Sequence, residues 1–113
     1  MSARDAVRLG EFVAIGAAAG PKWTDWLLAE MRQVRGMGDF GIAEALPKSE
    51  ADKVATKTGW HMHTFDNHWR INCLAVHPEW VLAVMTRYPE RLGFAYGGKG
   101  CQDVARQAIA SSI

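Results

Sequence analysis

Between Val54 and Val76 the sequence reads VATKTGWHMHTFDNHWRINCLAV, and this stretch concentrates the groups with the most chemical capacity. Lys57, Thr58 and Gly59 bring together an ammonium, a hydroxyl and backbone without a side chain. Four histidines, His61, His63, His68 and His77, lie in or just after it, with Asp66 and Cys73 nearby. His61 and His63 project to the same side of an extended strand, so both reach one ion. Their spacing is not the H-E-x-x-H of a zinc hydrolase and no third partner accompanies them, so surface imidazoles without a metal are expected. Trp60, Trp69 and Trp80 offer flat faces to a pyranose ring or acyl chain, and Arg70, Asn72 and Arg87 donate directed hydrogen bonds. Packing of the sheet against helices is the competing use of these rings, and both stay open for Trp60. Trp23 and Trp26, at helical spacing, are expected to face inward.

The elements that must position these groups follow from periodicity. Ser2 and Asp5 have the spacing of a capping box, and Val7, Leu9, Phe12 and Val13 continue as a helical apolar stripe ending near Gly16 to Gly20. Pro21 opens a second helix carrying Trp23, Trp26, Leu27, Met31 and Val34, stopped by Gly36. A tight connection and a short helical turn ended by Pro47 follow. The period then shifts to two. A strand around Lys53 to Trp60 comes first. In the next, Trp69, Ile71, Cys73 and Ala75 share one face and Arg70, Asn72, Leu74 and Val76 the other. His77-Pro78-Glu79 makes a hairpin into a strand where Trp80, Leu82, Val84 and Thr86 alternate. A last helix from about Gly98 carries the stripe Cys101, Val104, Ala105, Ala108 and Ile109. Tyr96-Gly-Gly-Lys-Gly100 lacks the spacing of a phosphate-binding loop and reads as a flexible entry turn. The expected fold is α+β: two N-terminal helices, a three-stranded antiparallel sheet and a C-terminal helix packed on it.

The chain has 113 residues, the usual size of one domain, and nothing divides it. With 49% hydrophobic and 22% charged residues and a formal net charge of +1, neither nucleic acid nor a membrane surface is an expected partner. Phe12 to Ala19 is apolar, but Asp5, Glu11 and the arginines break the layout of an export signal, and no apolar run approaches the ~20 residues of a membrane span. The expectation is a soluble domain without cofactors. Cys73 and Cys101 lie far apart with no C-x-x-C spacing, and are expected as buried, unpaired thiols.

The segment WTDWLLAEMRQVRGMGDFGIAEALPKSEADKVATKTG, Trp23 to Gly59, resembles the part of class A β-lactamases and penicillin-binding serine hydrolases that leads into their K-T-G strand. Ser2 to Gly10 is similar to the capped helix before it, and Trp69 to Thr86 with the terminal helix to the last strands and closing helix. The resemblance covers nearly the whole chain but only the C-terminal portion of the family fold. Those enzymes need a serine in S-x-x-K and an S-D-N-type motif. Ser2, Ser49, Ser111 and Ser112 have no lysine three places on, and Phe65-Asp66-Asn67 lacks the hydroxyl and follows K-T-G instead of preceding it. The resemblance therefore implies recognition without catalysis. The stretch WHMHTFDNHWRINCLAVHPEWVLAVMTRYP, Trp60 to Pro89, is richer in tryptophan and histidine than a typical β-lactamase, and with it the chain also resembles C-terminal modules of endolysins from phages that infect mycobacteria, which implies synthesis in the infected host and action at the cell wall. It implies a peptidoglycan-binding site drawn from Lys57, Thr58, Gly59, Trp60, His61, His63, Trp69, Arg70 and Asn72, and a linked catalytic domain. An alternative is a fragment of a penicillin-recognising hydrolase that needs an N-terminal half for activity. A third is a module that pairs with a second copy through an exposed strand edge.

Overall fold

The computed structural model describes residues 1–111. Helix α1, Ala3–Ala14, begins where the Asp5 N–H donates to Ser2 Oγ and the Ser2 N–H donates to Asp5 Oδ2, both at 3.1 Å. Two amide groups that a helix start leaves unpartnered are thereby satisfied. The chain turns at Gly16, with φ of 85°, into α2, Gly20–Met31, which carries Pro21 in its first turn. Helix α2 ends well before Gly36. Two 3-10 turns, Gly36–Gly38 and Ile42–Ala45, and the one-turn helix α3, Lys48–Ala51, lead into the sheet.

Strands β1, Ala55–His63, β2, His68–Val76, and β3, Val81–Pro89, form one antiparallel sheet in the order β1-β2-β3. Thr58 stands opposite Cys73 and Cys73 opposite Val84, with unbroken register at both junctions. The first strand thus starts later than Lys53 and runs three residues past Trp60. The turn between β2 and β3 closes through the His77 N–H donating to the Trp80 carbonyl at 2.8 Å. His77 Nδ1 accepts from the Glu79 N–H at 3.1 Å, so Nε2 carries the proton and donates to Glu50 Oε2 at 2.7 Å. That bond, with help from Lys53, holds the Glu50 carboxyl below its ordinary range. The imidazole also stacks on Trp80, so His77 ties the turn to α3.

Helix α4, Phe94–Ser111, packs across β2 and β3 on the face bearing Ile71, Cys73, Ala75 and Val84. The core there is Ile42, Val54, Cys73, Ala75, Val84, Cys101 and Ala105, with Leu82 and Ile109 packed against it. The other face is covered at one end by α1, where Gly10 lies against Leu74, Val76 and Val81. Among the described residues no helix is long and apolar enough to cross a membrane.

Four expectations are corrected. Cys73 and Cys101 are bonded to each other, joining β2 to α4 across 28 residues of sequence. They lie at facing positions of a strand and a helix that only the fold brings together. Helix α4 begins at Phe94, four residues before Gly98, so the glycine tract is helical and no entry turn. Those glycines serve close packing: a Cβ on Gly97 would stand 2.3 Å from Ile71 Cγ1, and one on Gly98 3.0 Å from Phe40 Cδ1. The start of α4 is held by Tyr88, whose hydroxyl accepts from the Gly97 N–H at 3.0 Å and lies within reach of the Gly93 carbonyl at 2.9 Å. Burial raises the pKa of this phenol. Trp23 and Trp26 are 54% and 57% exposed, because α2 buries its small Thr24, whose hydroxyl donates to the Gly20 carbonyl at 2.7 Å. Both helices also end early, α1 at Ala14 and α2 at Met31.

Candidate functional site

Side chains alternate across a strand, so the register divides the nine candidate residues between two faces. Lys57, Gly59, His61 and His63 from β1 share the α1 side with Arg70 and Asn72 from β2 and with Ala83, Met85 and Arg87 from β3. Thr58, Trp60 and Trp69 take the α4 side. The Thr58 hydroxyl donates to the Gly38 carbonyl at 2.9 Å and is buried. Trp60 packs its ring on Phe40 and Phe94, with centroids at 6.1 and 5.6 Å, and Trp69 packs on Phe94 at 5.6 Å. Trp60 nevertheless stays 40% exposed, so it packs and presents a face at once. A depression of about 470 Å³ lies beside this aromatic cluster, between Phe40 and Phe94 and under Asp39 and Lys99.

On the α1 side the helix lies over the end of the sheet near the His77–Trp80 turn and stops short of the β1–β2 hairpin. What remains is a groove of about 430 Å³ lined by Ala6 and Leu9 of α1 and by Lys57, Gly59, Asn72 and Met85 of the sheet. A side chain at Gly59 would meet nothing within 4 Å, so the groove floor there is bare backbone. Lys57 is exposed and its ammonium donates to the Thr58 carbonyl. The other sulfur and hydroxyl near the groove are engaged elsewhere: Cys73 in the bridge to Cys101, Thr58 with Gly38.

Past Asn72 the same face continues into a charged patch. Arg70 donates to both oxygens of Asp66, at 3.1 and 2.6 Å, and Arg87 adds a contact at 3.4 Å. The His68 N–H donates to Asp66 Oδ1 at 3.1 Å, and the His68 ring donates from Nδ1 to the Asp66 carbonyl at 2.7 Å. Asn67, with φ of 52°, completes this turn. The Arg70 bonds above all, then His68 and Arg87, hold the Asp66 carboxyl far below the usual carboxylate range. A depressed folded value contributes stability above the ordinary value of about 3.9 that is lost only as pH falls through the folded one. Asp66 is therefore expected to stay ionised down to about pH 3, its carboxyl carbon showing no titration by NMR between there and neutrality. A midpoint near the ordinary value would mean that the Arg70 pair does not persist in solution.

His61 and His63 do stand together, ring centroids 4.2 Å apart, with Phe65 against His63. Desolvation first, and then the positive charges of His61 and Arg70, lower the His63 pKa, so this ring is neutral near pH 7. His77 lies at the far end of the sheet, and among the described residues no three His, Cys, Asp or Glu converge on a point that would hold a metal ion. The sequence reading missed Asp66 as the anchor of Arg70, and Met85, Ala6 and Leu9 as groove walls. Applying the period of two across all three strands would have found Met85; the α1 residues depend on how the helix lies on the sheet.

No family model matches this sequence, and no curated protein or solved structure matches it.

Proposed function

We propose that this chain is a binding module for a bacterial cell-wall polymer, which keeps a linked hydrolase of a phage lysin on its substrate. The observation that carries the reading is the groove on the α1 side, continuous with the Arg70 patch. It offers the Lys57 ammonium, the Asn72 amide and bare backbone at Gly59 along one open face. Lys57, Arg70 and Arg87 outnumber the single carboxylate of Asp66, which Arg70 already neutralises. This chemistry suits an extended ligand with carboxylates and amides, such as the stem peptides of peptidoglycan. Catalysis is not part of the reading, because the Thr58 hydroxyl and the Cys73 sulfur are both committed to structural partners. Linking such a module to an enzyme raises the enzyme's local concentration on the polymer even if each contact is weak.

Sedimentation with purified walls tests this. The chain is expected to pellet with peptidoglycan, and Lys57→Ala combined with Asn72→Ala to weaken retention at least about tenfold while the far-UV spectrum stays unchanged, since two polar contacts of about 1 kcal/mol each are removed. Equal retention of a folded double variant would move the site off this face. Trp60→Ala, on the opposite face, is the control that separates the groove from the aromatic cluster.

A further inference from the structure

We infer that the outer edge of β3 pairs with β3 of a second copy, joining two sheets into one of six strands with both grooves on the same side. The two edges of the sheet differ. Beside β1 run the end of α2 and the turn Gly36–Gly38, with Thr56 Oγ1 3.5 Å from the Met31 carbonyl and Thr58 Oγ1 bonded to Gly38. Helices α1 and α4 pack over the faces of β3, and among the described residues its backbone makes no hydrogen bond except across to β2. Because His77 and Trp80 form a hydrogen-bonded pair, alternation along the ladder points the N–H and C=O groups of Val81, Ala83, Met85 and Arg87 away from β2. Of the devices that usually protect an edge the strand has one charged residue, Arg87. It has no lysine and no bulge, and its proline, Pro89, is its last residue.

Symmetry and charge select one arrangement. Antiparallel pairing of identical strands requires outward-facing residues to meet each other, so odd positions of β3 pair with odd positions of its copy. Centred on Ala83, the register sets Val81 opposite Met85 and places Arg87 just past the start of the copy's strand, beside the turn that carries Glu79, which has no side-chain partner of its own among the described residues. Centred on Val84 or Met85, Arg87 would face Val81 or Ala83 and lie away from that carboxylate. A two-fold axis that relates antiparallel strands within one sheet stands perpendicular to the sheet, so the same face of each copy looks the same way. Ala83 and Met85 border the axis, and Met85 lines the groove. Pairing therefore sets two grooves side by side on one surface, open to one polymer; this last consequence rests on the binding function proposed above, whereas the pairing itself does not.

Sedimentation equilibrium of the full chain is expected to give twice the 12.5 kDa of one copy. Ala83→Pro removes an N–H that points outward and leaves the ladder to β2 intact, so it is expected to give the single-copy mass with unchanged far-UV spectrum. If that variant fails to fold, Glu79→Arg is expected to weaken association about tenfold by setting like charges near each other at two symmetric places, and Glu79→Arg with Arg87→Glu to restore it. A single-copy mass for the unaltered chain at every soluble concentration overturns the pairing, as does a dimer that folded Ala83→Pro or Glu79→Arg leaves equally tight. On intact walls Glu79→Arg is expected to lose about a hundredfold in retention through lost bivalency, with equal affinity for a short soluble muropeptide. A dimer that binds no wall would overturn the proposed function and leave the pairing standing.

Discussion

Reducing the Cys73–Cys101 bridge is expected to lower the stability of this protein by about 3 to 4 kcal/mol, the chain entropy released on opening a loop of this length. The loop spans 28 residues and closes β2 onto α4 through the centre of the core, where Cys73 is 4% and Cys101 0% exposed. There is little room to absorb the change. A Cβ on Gly41 would already lie 2.9 Å from the Cys73 sulfur, and the two thiols produced by reduction need more space than the bridge. For a domain of this size the loss corresponds to a fall in Tm of roughly 10–20 °C. Urea unfolding with and without reductant measures it, with the bridge state checked by mass. The slope with urea should steepen as well, because the reduced unfolded chain exposes more surface. Equal midpoints for the bridged and the fully reduced protein would show that packing alone holds α4 to the sheet. The contribution is present where thiols are oxidised and absent in a reducing cytosol, so the domain is at its most stable in an oxidising environment.

The second large effect comes from adding one methyl group. Glycine within a helix ordinarily costs about 0.5–1 kcal/mol relative to alanine, so Gly→Ala in α4 should on propensity alone stabilise. At Gly97 the expected sign is reversed. The new Cβ would lie 2.3 Å from Cγ1 and 2.4 Å from Cβ of Ile71, which is 0% exposed and cannot move away without disturbing β2. Gly97 also donates its N–H to Tyr88, so sliding the helix outward would break the bond that holds its first turn. Gly97→Ala is therefore expected to destabilise by about 2 to 3 kcal/mol, in the upper range of overpacking. Gly100→Ala is the internal control. Its Cβ would stand 3.8 Å from Thr86 Cγ2, an ordinary contact, and a gain of about 0.5 kcal/mol is expected. If thermal melts gave the two variants the same shift, the close approach of α4 to Ile71 would be wrong.

These two sites also show why some features were legible in the sequence and others were not. The Ser2–Asp5 box, the strands and the His77–Trp80 turn rest on neighbours a few residues apart, and each was readable from spacing. The tract Tyr96 to Gly100 was misread because glycine signals freedom locally, whereas here its lack of a side chain serves a contact with Ile71, 26 residues earlier in the chain. Trp23 and Trp26 were expected inside because their spacing is helical. Spacing reports that two residues share a helix face but not which face the rest of the fold covers, and α2 turns Thr24 inward. For the candidate site, the chemistry of Lys57, Arg70 and Asn72 was visible from residue type. Their separation from Thr58, Trp60 and Trp69 was implicit in the period of two, and the salt bridge of Arg70 to Asp66 needed the geometry of the turn.

By itself the sequence determined the class of the fold, the order of its elements and the pool of residues with recognition chemistry, because those depend on hydrogen-bonding capacity, side-chain shape and periodicity over short distances. Only the tertiary structure decided which cysteines meet, which face of the sheet stays open and which strand edge is left without a neighbour. Each of these depends on contacts between residues distant in the chain, and their energies are set by how closely helices and sheet approach, a quantity no local pattern encodes.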